Sequence, residues 1–346
     1  MEFKKYNSIE NMEQKSFIKS LLVQGFGDLE YVVQEKVHGA NLSFTSDGEK
    51  VLSAKRTGWI EEGEDFYNVQ QVEADYRSRV LALSSELMQQ YGAKTVSIFG
   101  ELFGGGYPHA EVTKVAGAKI VQQGIYYSPA NDFYAFDICI DQERYLDADT
   151  ANALFAKHGF LYAQTLFRGS LADCMDYPNE FKTTIPQLLH LPEIEGNCCE
   201  GVVIRPVQPS FLQIGSRVII KNKNDRWSEN NKHIDKAVLK QVIRQEGDEL
   251  SEEAQALCEL VYEYITTNRL NNLLSKLGAV NFKKDFGKVC GMYSKDVLTD
   301  FLKSHQAQYD ALEKPEAKAI NRFVNQHASN LISEEFMDMQ LKEMKG

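Results

Sequence analysis

The sequence predicts an α+β protein in which an antiparallel-rich first domain is followed by an all-helical C-terminal domain. Short apolar segments with strand-like alternation recur from residue 29 to residue 223, and the helical patterns between them do not form regular βαβ units. After about residue 230 this alternation is lost, and apolar residues recur at helical spacing instead. We therefore expect two domains, at residues 1–232 and 233–346.

Local apolar patterns define the elements of the first domain. Val72, Tyr76 and Val80, for example, fall on one face of a helical pattern over residues 69–90. In chain order the patterns predict a helix over 8–22, strands over 29–60, a helix over 69–90, strands over 95–103 and 133–138, helices over 149–158 and 179–190, and strands over 200–206 and 217–223.

Helix start and stop signals define the C-terminal domain. Ser251 is a good N-cap for a helix whose apolar face runs to Leu277, and Gly278 is expected to end it. A second helix is predicted to begin at Ser294 and a third around Pro315.

Composition narrows the class of protein. The 346-residue chain is 43% hydrophobic and 25% charged, as is typical of soluble globular proteins. A net charge of −11 argues against a protein that coats nucleic acid, so a polyanion would have to bind a local basic strip. The six cysteines lack metal-like spacing, and no signal or membrane-spanning segment is visible. We expect a soluble, intracellular monomer that does not associate with membranes.

Residues 35–41, Glu-Lys-Val-His-Gly-Ala-Asn, form a predicted turn between two strands, with Gly39 at the turn. A lysine in such a turn is either a solvated charge or a nucleophile. The pattern Lys-x-x-Gly alone does not separate the two, because chance produces it often. The role of Lys36 therefore depends on what the rest of the chain supplies.

Charged residues at the ends of later strands supply possible partners for Lys36. Alternation places Lys221 and Lys223 on one face of their strand, where they repel each other unless an anion lies near. Glu101 and Glu200 adjoin apolar strands, and buried carboxylates there need a cation or a lysine. Such a set suits a triphosphate with a divalent metal, and nearby positive charge favours the neutral, nucleophilic amine.

Together these motifs resemble those of the covalent nucleotidyltransferases, and more narrowly those of the RNA ligase 2 family of phage nick-sealing and trypanosome RNA-editing ligases. The resemblance covers nearly the whole chain and implies a nucleotidyltransferase (ATP-grasp-like ligase) fold for the first domain. The motifs are Glu35-Lys36-x-His38-Gly39-x-Asn41, Lys55-Arg56-Thr57-Gly58, Phe99-Gly100-Glu101, Asp132-Phe133-Tyr134-x-Phe136-Asp137, Glu200-Gly201-x-Val203-x-Arg205-Pro206 and Lys221-Asn222-Lys223-Asn224.

The resemblance implies an ATP-dependent RNA ligase that uses Mg²⁺, with Mn²⁺ as an alternative metal. Lys36 is expected to attack the α-phosphate of ATP and become a lysyl-adenylate. The AMP then passes to an RNA 5′-phosphate, and an RNA 3′-hydroxyl displaces it. The expected substrate is RNA, either a nicked duplex or free RNA ends.

The same resemblance implies roles for individual residues. Phe136 is expected to stack on the adenine, and Lys221 and Lys223 to hold the α-phosphate. Asn41 and Glu200 are the expected metal-binding residues. The implied catalytic residues are Lys36, Lys221, Lys223 and Glu200, and the implied nucleotide-binding residues are Glu35, Lys36, Asn41, Arg56, Glu101, Phe136, Glu200, Lys221 and Lys223.

In the C-terminal domain the resemblance implies that Arg269, Asp296 and Asp300 engage RNA ends, although an ordinary salt bridge between helices is the alternative. The sequence also departs from the phage-type pattern. Ala40 stands where that pattern has a threonine, Asp300 where it has a glutamate, and Arg205 where it has a lysine.

Other interpretations share part of this pattern. ATP-dependent DNA ligases and GTP-dependent RNA capping enzymes use the same lysine chemistry, but an OB barrel usually follows their second lysine pair, and here the sequence after Lys223 is helical. A catalytically inactive nucleic-acid-binding protein predicts the loss of Lys36, Glu200 or Lys221, and all three are present. The role of His38 stays open between an RNA or nucleotide contact and a turn residue.

Overall fold

The computed structural model describes residues 1–228, 250–277 and 280–343. By its internal contacts the chain divides into two compact units, Met1–Arg226 and Trp227–Gly346. The predicted boundary between residues 232 and 233 lies outside the described residues. Of the described helices, none has the length and apolarity needed to cross a membrane.

Two β-sheets form the frame of the first unit, and most of their strands are short. The strands are β1 (Glu10–Asn11), β2 (Tyr31–Glu35), β3 (Ala40–Ser46), β4 (Val51–Lys55), β5 (Gly58–Trp59), β6 (Val96–Gly104), β7 (Asn131–Ile140), β8 (Arg144–Tyr145), β9 (Leu161–Tyr162), β10 (Thr165–Gly169), β11 (Gly201–Pro206) and β12 (Ile220–Lys223).

The first sheet has the strand order β1-β12-β11-β2-β10, and the second has the order β5-β4-β3-β6-β7-β8, with β9 beside β7. Only β1–β12 and β7–β9 pair in parallel among the described strands. The predicted α+β class with antiparallel-rich sheets is therefore confirmed. The turn at residues 36–39 carries the chain from β2 in the first sheet to β3 in the second.

Five helices belong to the first unit: α1 (Lys15–Val23), α2 (Val69–Tyr91), α3 (Ala148–Lys157), α4 (Leu171–Met175) and α5 (Ile185–Leu188). The apolar face of α2 is buried with Phe44 and Phe133, which lie on the outer face of the second sheet. This helix matches the one predicted over residues 69–90, because its apolar periodicity is long and regular.

Three predictions in the first unit were wrong in extent. The helix predicted over residues 8–22 begins only at Lys15, because Glu10–Asn11 forms β1 and pairs with β12. The helix predicted over residues 179–190 is only the four-residue α5, because the backbone before it pairs with another segment: the Thr183 N–H donates to the Asn197 carbonyl at 3.1 Å. The strand predicted over residues 217–223 begins only at Ile220.

An apolar cluster joins the inner faces of the two sheets. Phe99 and Cys139 come from the second sheet, Ile219 precedes β12 of the first, and Tyr6 lies in the same cluster. The tyrosine ring is 5.0 Å from that of Phe136, at an interplanar angle of 60°. The N-terminal segment is therefore part of the core between the sheets.

A buried charge network lies beside this cluster. Asp137 is fully buried, and its carboxylate accepts hydrogen bonds from the Tyr6 hydroxyl at 2.8 Å and from Arg217 Nη1 at 2.5 Å. Arg205 Nη1, from the first sheet, is 3.1 Å from the same carboxylate. Burial alone would raise the pKa of Asp137, but the guanidinium groups of Arg217 and Arg205 hold it below its ordinary value. The network thus ties the sheets together by charge as well as by apolar contact.

The second unit is helical in its described part, with α6 (Glu252–Tyr262), α7 (Thr267–Leu277), α8 (Phe282–Asp310) and α9 (Lys314–Glu343). Ser251 caps α6 as predicted, since its hydroxyl accepts a hydrogen bond from the Ala254 N–H. The start of α9 beside Pro315 also agrees with the prediction. The predicted stop at Gly278 lies outside the described residues.

Two of its predicted helix boundaries were wrong. The single helix expected from Ser251 to Leu277 is broken, because the Tyr293 hydroxyl bonds both the N–H of Thr266, at 2.7 Å, and its carbonyl, at 3.0 Å. The helix expected to begin at Ser294 begins at Phe282, and its first turns bury Val289 and Tyr293 in the core of the unit. Burial outweighs the low helix propensity of two glycines there.

Candidate active site

A single carboxylate joins two of the predicted site lysines. Glu200 is 1% exposed, and its two oxygens bind different lysines. Lys36 Nζ donates to Oε2 at 2.7 Å, and Lys223 Nζ lies 2.7 Å from Oε1. The structure thus brings together Lys36, from the turn after β2, with a lysine that is distant in sequence.

Strand register explains this meeting. In the first sheet β11 lies between β2 and β12, and Gly201 of β11 pairs with Lys223 of β12. The N–H of Lys36 donates to the Gly201 carbonyl at 2.9 Å, which places the turn beside Glu200. Gly201 has φ of 143°, and a Cβ there would lie 2.2 Å from the Asn222 carbonyl oxygen. Only glycine allows β12 to approach so closely at this point.

The charges around Glu200 determine its protonation. Burial alone would raise the pKa of this carboxyl, but Lys223, Lys36 and His38 lower it to about 2. Glu200 is therefore an anion at neutral pH and pairs with the lysines on both sides. A carboxylate of such low basicity is suited to orienting cations and is a poor general base.

Lys221 lies on the same face of the sheet as Lys223. It pairs with Val203 of β11, whose side chain belongs to the cluster between the sheets. Because side chains alternate along a strand, Lys221 and Lys223 both face the space between the sheets, as the sequence predicted.

Glu35 lies on the opposite face of the first sheet from Lys36. It pairs with Val202, which belongs to the apolar cluster on the outer face. Its buried carboxylate accepts hydrogen bonds from Thr183 Oγ1 at 2.5 Å, Thr184 Oγ1 at 2.5 Å and Thr184 N at 2.8 Å. Burial raises the pKa of Glu35, and the threonine hydrogen bonds oppose that rise. The nucleotide contact of Glu35 stays a prediction.

Three predicted site residues, Asn41, Arg56 and Glu101, belong to neighbouring strands of the second sheet or follow them directly. Asn41 of β3 pairs with Glu101 of β6. The Asn41 amide nitrogen donates to the Gly100 carbonyl at 3.4 Å. Arg56 follows β4 and is half-buried; burial lowers its pKa, while Glu101 opposes the change. The attraction between Arg56 and Glu101 indicates that these two predicted site residues lie near each other.

Phe136 occupies a β-bulge in β7. Asp137 pairs with Phe99 and Ala135 with Gly100, so Phe136 is the extra residue between two pairs. Bulges redirect side chains and are common beside active sites. Phe136 is half-buried against Tyr6, and the ring is therefore partly accessible, as a base-stacking residue must be.

His38 is a residue whose role the sequence left open. Its side chain is buried, with Nδ1 3.7 Å from Glu200 Oε2. The backbone N–H of His38 donates to the hydroxyl of the buried Tyr127 at 2.9 Å. The imidazole therefore belongs to the group around Glu200. The signal in the sequence was its position two residues after Lys36.

The donor groups of the site fit a hydrated divalent ion better than a metal bound only by protein. Within residues 1–228, 250–277 and 280–343 there is no group of three or more His, Cys, Asp or Glu that could hold a metal ion. The oxygen donors at the predicted positions are the carboxylate of Glu200, which precedes β11 of the first sheet, and the side chains of Asn41 and Glu101, which pair with each other in the second. Mg²⁺ commonly binds through one or two carboxylates, retained waters and substrate phosphates. The residues present meet that requirement.

The predicted C-terminal residues also meet, in an ion-pair cluster around a buried arginine whose two aspartate partners are partly exposed. Arg269 is 2% exposed and donates to Asp296 Oδ2 at 2.6 Å and to Asp300 Oδ2 at 3.0 Å. Its Nε donates to the Tyr264 carbonyl at 3.0 Å. This arrangement links helices α7 and α8, as the salt-bridge interpretation requires. Engagement of RNA ends by these residues stays a prediction.

Two family models match the chain: RNA ligase over residues 29–223 and T4 RNA ligase 2 C-terminal over residues 248–330. The chain belongs to the RNA ligase family. Mitochondrial RNA-editing ligase 2 of Trypanosoma brucei brucei is 28% identical over 97% of this chain and 92% of that protein. Mitochondrial RNA-editing ligase 1 of the same organism is 30% identical over 87% of this chain and 76% of that protein. The predicted family and the predicted RNA ligase function are confirmed.

Solved structures of a Naegleria gruberi RNA ligase are also similar to this chain. The one with PPi has a TM-score of 0.43 and 14% identity, and the match covers 65% of this chain and 57% of that one. A mutant with AMP and Mn has a TM-score of 0.44 and 12% identity, with the same coverage. This chain thus spans little more than half of the Naegleria ligase.

Glu200 makes the stability of this ligase depend on pH. Its pKa is about 2 in the folded protein, against an ordinary 4.5, so its contribution is complete above pH 4.5 and is lost as the pH falls toward 2. We expect Glu200→Gln to lower the free energy of unfolding by about 3 kcal/mol at pH 7, and by clearly less at pH 3. Urea unfolding at the two pH values measures both.

Glu86→Gln is the matched control for this prediction. Glu86 also binds two basic residues, Lys157 and His158, but on the surface, so its loss should cost about 1 kcal/mol or less at pH 7. Equal losses for Glu200→Gln at pH 7 and pH 3 contradict the predicted protonation.

Proposed function

We propose that this protein joins RNA 3′-hydroxyl and 5′-phosphate ends at nicks in duplexes, using ATP, with Lys36 as the nucleophile. The observation that carries the proposal is the Glu200 carboxylate held between Lys36 and Lys223 at 2.7 Å from each. This arrangement supports the proposal because the candidate nucleophile and a candidate phosphate-binding lysine lie on the two sides of one buried anion.

In the first step Lys36 Nζ attacks the α-phosphorus of ATP. A phosphorus–nitrogen bond forms, the bond to the bridging oxygen breaks, and pyrophosphate leaves. Lys36 Nζ donates a hydrogen bond to Glu200 Oε2, so it has to turn away from this carboxylate before its nitrogen can attack, and the proton that the amine gives up passes to solvent water. Because Glu200 is a weak base, it is better suited to orienting Lys36 than to taking the proton.

Lys221 and Lys223 supply positive charge where the α-phosphate gains negative charge in the transition state. Both face the space between the sheets, on the face that carries Val203. Cations that are already in place stabilise such a transition state without further reorganisation. Exchange of the Glu200 contact of Lys223 for a phosphate contact keeps that lysine paired.

The inner face of the second sheet is the proposed site for the nucleoside. Phe136 lies in a bulge with part of its ring accessible, and it stacks on the adenine. Arg56 and Glu101 contact the ribose or phosphate from neighbouring strands. Tyr6 supports the Phe136 ring from behind, at 5.0 Å.

Mg²⁺ is the proposed metal, with Mn²⁺ able to replace it. When bound, the ion neutralises phosphate charge and favours the neutral form of a nearby lysine. Asn41 and Glu200 would hold the ion. Related structures of the Naegleria ligase contain ATP and Mn, and this agrees with a divalent metal.

In the second and third steps the AMP passes from Lys36 to an RNA 5′-phosphate, and the 3′-hydroxyl of the other end then displaces it. We propose that residues 1–232 carry out self-adenylylation and that residues 233–346 engage the RNA ends. Arg269, Asp296 and Asp300 are the proposed contacts in the second part, where the arginine pairs with both aspartates. The protein is proposed to act as a monomer.

Incubation with Mg²⁺ and ATP labelled at the α-phosphate tests the first step. We expect a covalent AMP–protein adduct in the wild-type protein and none in Lys36→Ala, because the nucleophile is lost. Lys157→Ala, which removes an exposed lysine of the same unit, should keep the adduct. An adduct formed only with GTP would indicate a capping enzyme, and no adduct under any metal or pH condition would indicate a binding protein.

Matched nicked duplexes test the substrate. We expect efficient sealing where the 3′-hydroxyl strand is RNA and at least about tenfold slower sealing where it is DNA, because RNA duplexes are recognised by A-form shape and 2′-hydroxyl contacts. Single-turnover sealing rates on duplexes that differ only in that strand measure this difference. Equal rates on the all-DNA nick contradict the proposed specificity.

A further inference from the structure

Directly behind Lys36, on the outer face of the first sheet, the buried carboxylate of Glu35 is clamped by two threonines. It is 3% exposed and accepts three hydrogen bonds of 2.5 to 2.8 Å from Thr183 and Thr184. Charge-assisted hydrogen bonds of this length are among the stronger ones in proteins. Glu35 therefore fixes the last residue of β2 to residues 183–184.

The segment that carries these threonines is itself bonded to the residues just before Glu200. The Thr183 N–H donates to the Asn197 carbonyl at 3.1 Å, and the Cys199 N–H donates to the Phe181 carbonyl at 2.8 Å. Lys182 and Cys198 form a β-bridge between the same two segments. The chain that enters Glu200 is thus aligned by the segment that holds Glu35.

Together with the covalent chain, these contacts form a closed loop of bonds that includes Lys36 and Glu200. Lys36 follows Glu35 in the chain, and Glu200 follows Cys199, so each reactive residue is covalently next to one anchored on the outer face. On the inner face, the 2.7 Å contact between Lys36 Nζ and Glu200 Oε2 completes this loop of bonds. A shift in the outer contacts therefore has to change the separation of the reactive groups.

We propose that Thr183 and Thr184, which bind the carboxylate of Glu35, form with it a positioning brace that sets the separation of Lys36 and Glu200. This inference rests on the proposed role of Lys36 as nucleophile. The two threonines act through the Glu35 carboxylate and the backbone of β2.

The two hydroxyl groups are the part of the brace that can be removed without changing its shape. Threonine and valine have nearly the same outline, but valine cannot donate a hydrogen bond. Without both hydroxyls the buried carboxylate of Glu35 keeps only the Thr184 N–H, and a buried anion with too few donors protonates or moves. Either change loosens the end of β2 beside Lys36.

Single-turnover lysyl-AMP formation over a range of ATP concentrations tests the brace. In the double variant Thr183→Val/Thr184→Val we expect the maximal rate to fall at least about tenfold, since small misplacements of reacting groups are costly. The ATP concentration for half-maximal rate should change less than about twofold, because neither threonine contacts ATP. In Thr183→Ser/Thr184→Ser, which keeps both hydroxyls, the rate should return to within about threefold of the wild type.

Thr45→Val is the matched control, because it removes another buried threonine hydroxyl, bonded to Ser97 at 2.9 Å, from the far end of β3. It should keep the wild-type maximal rate. The brace is overturned if this control loses as much rate as the double valine variant, if the serine variant shows no rescue, or if the effect lies in the ATP requirement alone.

A structural readout keeps the brace testable even if the wild-type protein forms no adduct. Crystal structures of the wild type and of Thr183→Val/Thr184→Val compare the distance from Lys36 Nζ to Glu200 Oε2. We expect it to increase by about 1 Å or more while the two sheets stay unchanged. An unchanged distance overturns the brace, and a missing adduct alone overturns only the role of Lys36.

Discussion

The candidate site depends on one buried carboxylate. Removing Glu200 from water is costly, and the cost is offset only because each oxygen has a lysine at 2.7 Å. The same balance ties Lys36 to Lys223, and deleting either lysine would leave part of a buried charge uncompensated. The geometry of the site is therefore a direct result of satisfying one anion.

Backbone features bring the lysines to that anion. Gly201 lets β12 approach β11 closely where Lys223 must lie. Gly39 likewise lets the turn after β2 approach the backbone of β6, since a Cβ there would lie 2.2 Å from the Leu102 carbonyl oxygen. Around this centre, Asp137 fixes the two sheets to each other through Arg205 and Arg217. The part of the candidate site around Phe136 is thus held by charge in the core, and the part around Lys36 by register in the first sheet.

Much of the site could be predicted because its residues lie in motifs with strong local patterns. Strand alternation correctly placed Lys221 and Lys223 on one face, and the turn around Gly39 correctly placed Lys36 between two strands. The long helix over residues 69–90 was equally clear, because its apolar periodicity extends over many turns.

What the sequence could not supply were contacts between residues far apart in the chain. The break between α6 and α7 depends on the Tyr293 hydroxyl, and no local pattern encodes that bond. Thr183 and Thr184 lie about 150 residues from Glu35, so their hydrogen bonds were invisible in the sequence. The outward direction of Glu35, in contrast, follows from alternation with Lys36 and could have been predicted.

Locating the AMP adduct on the wild-type protein tests the central claim most directly. Three lysines of the site, Lys36, Lys221 and Lys223, could each carry the nucleotide on chemical grounds. Proteolysis after reaction with ATP, followed by mass spectrometry of the peptides, assigns the modified residue. The proposed role of Lys36 as the nucleophile predicts AMP on Lys36 alone, and AMP on Lys221 or Lys223 would contradict it.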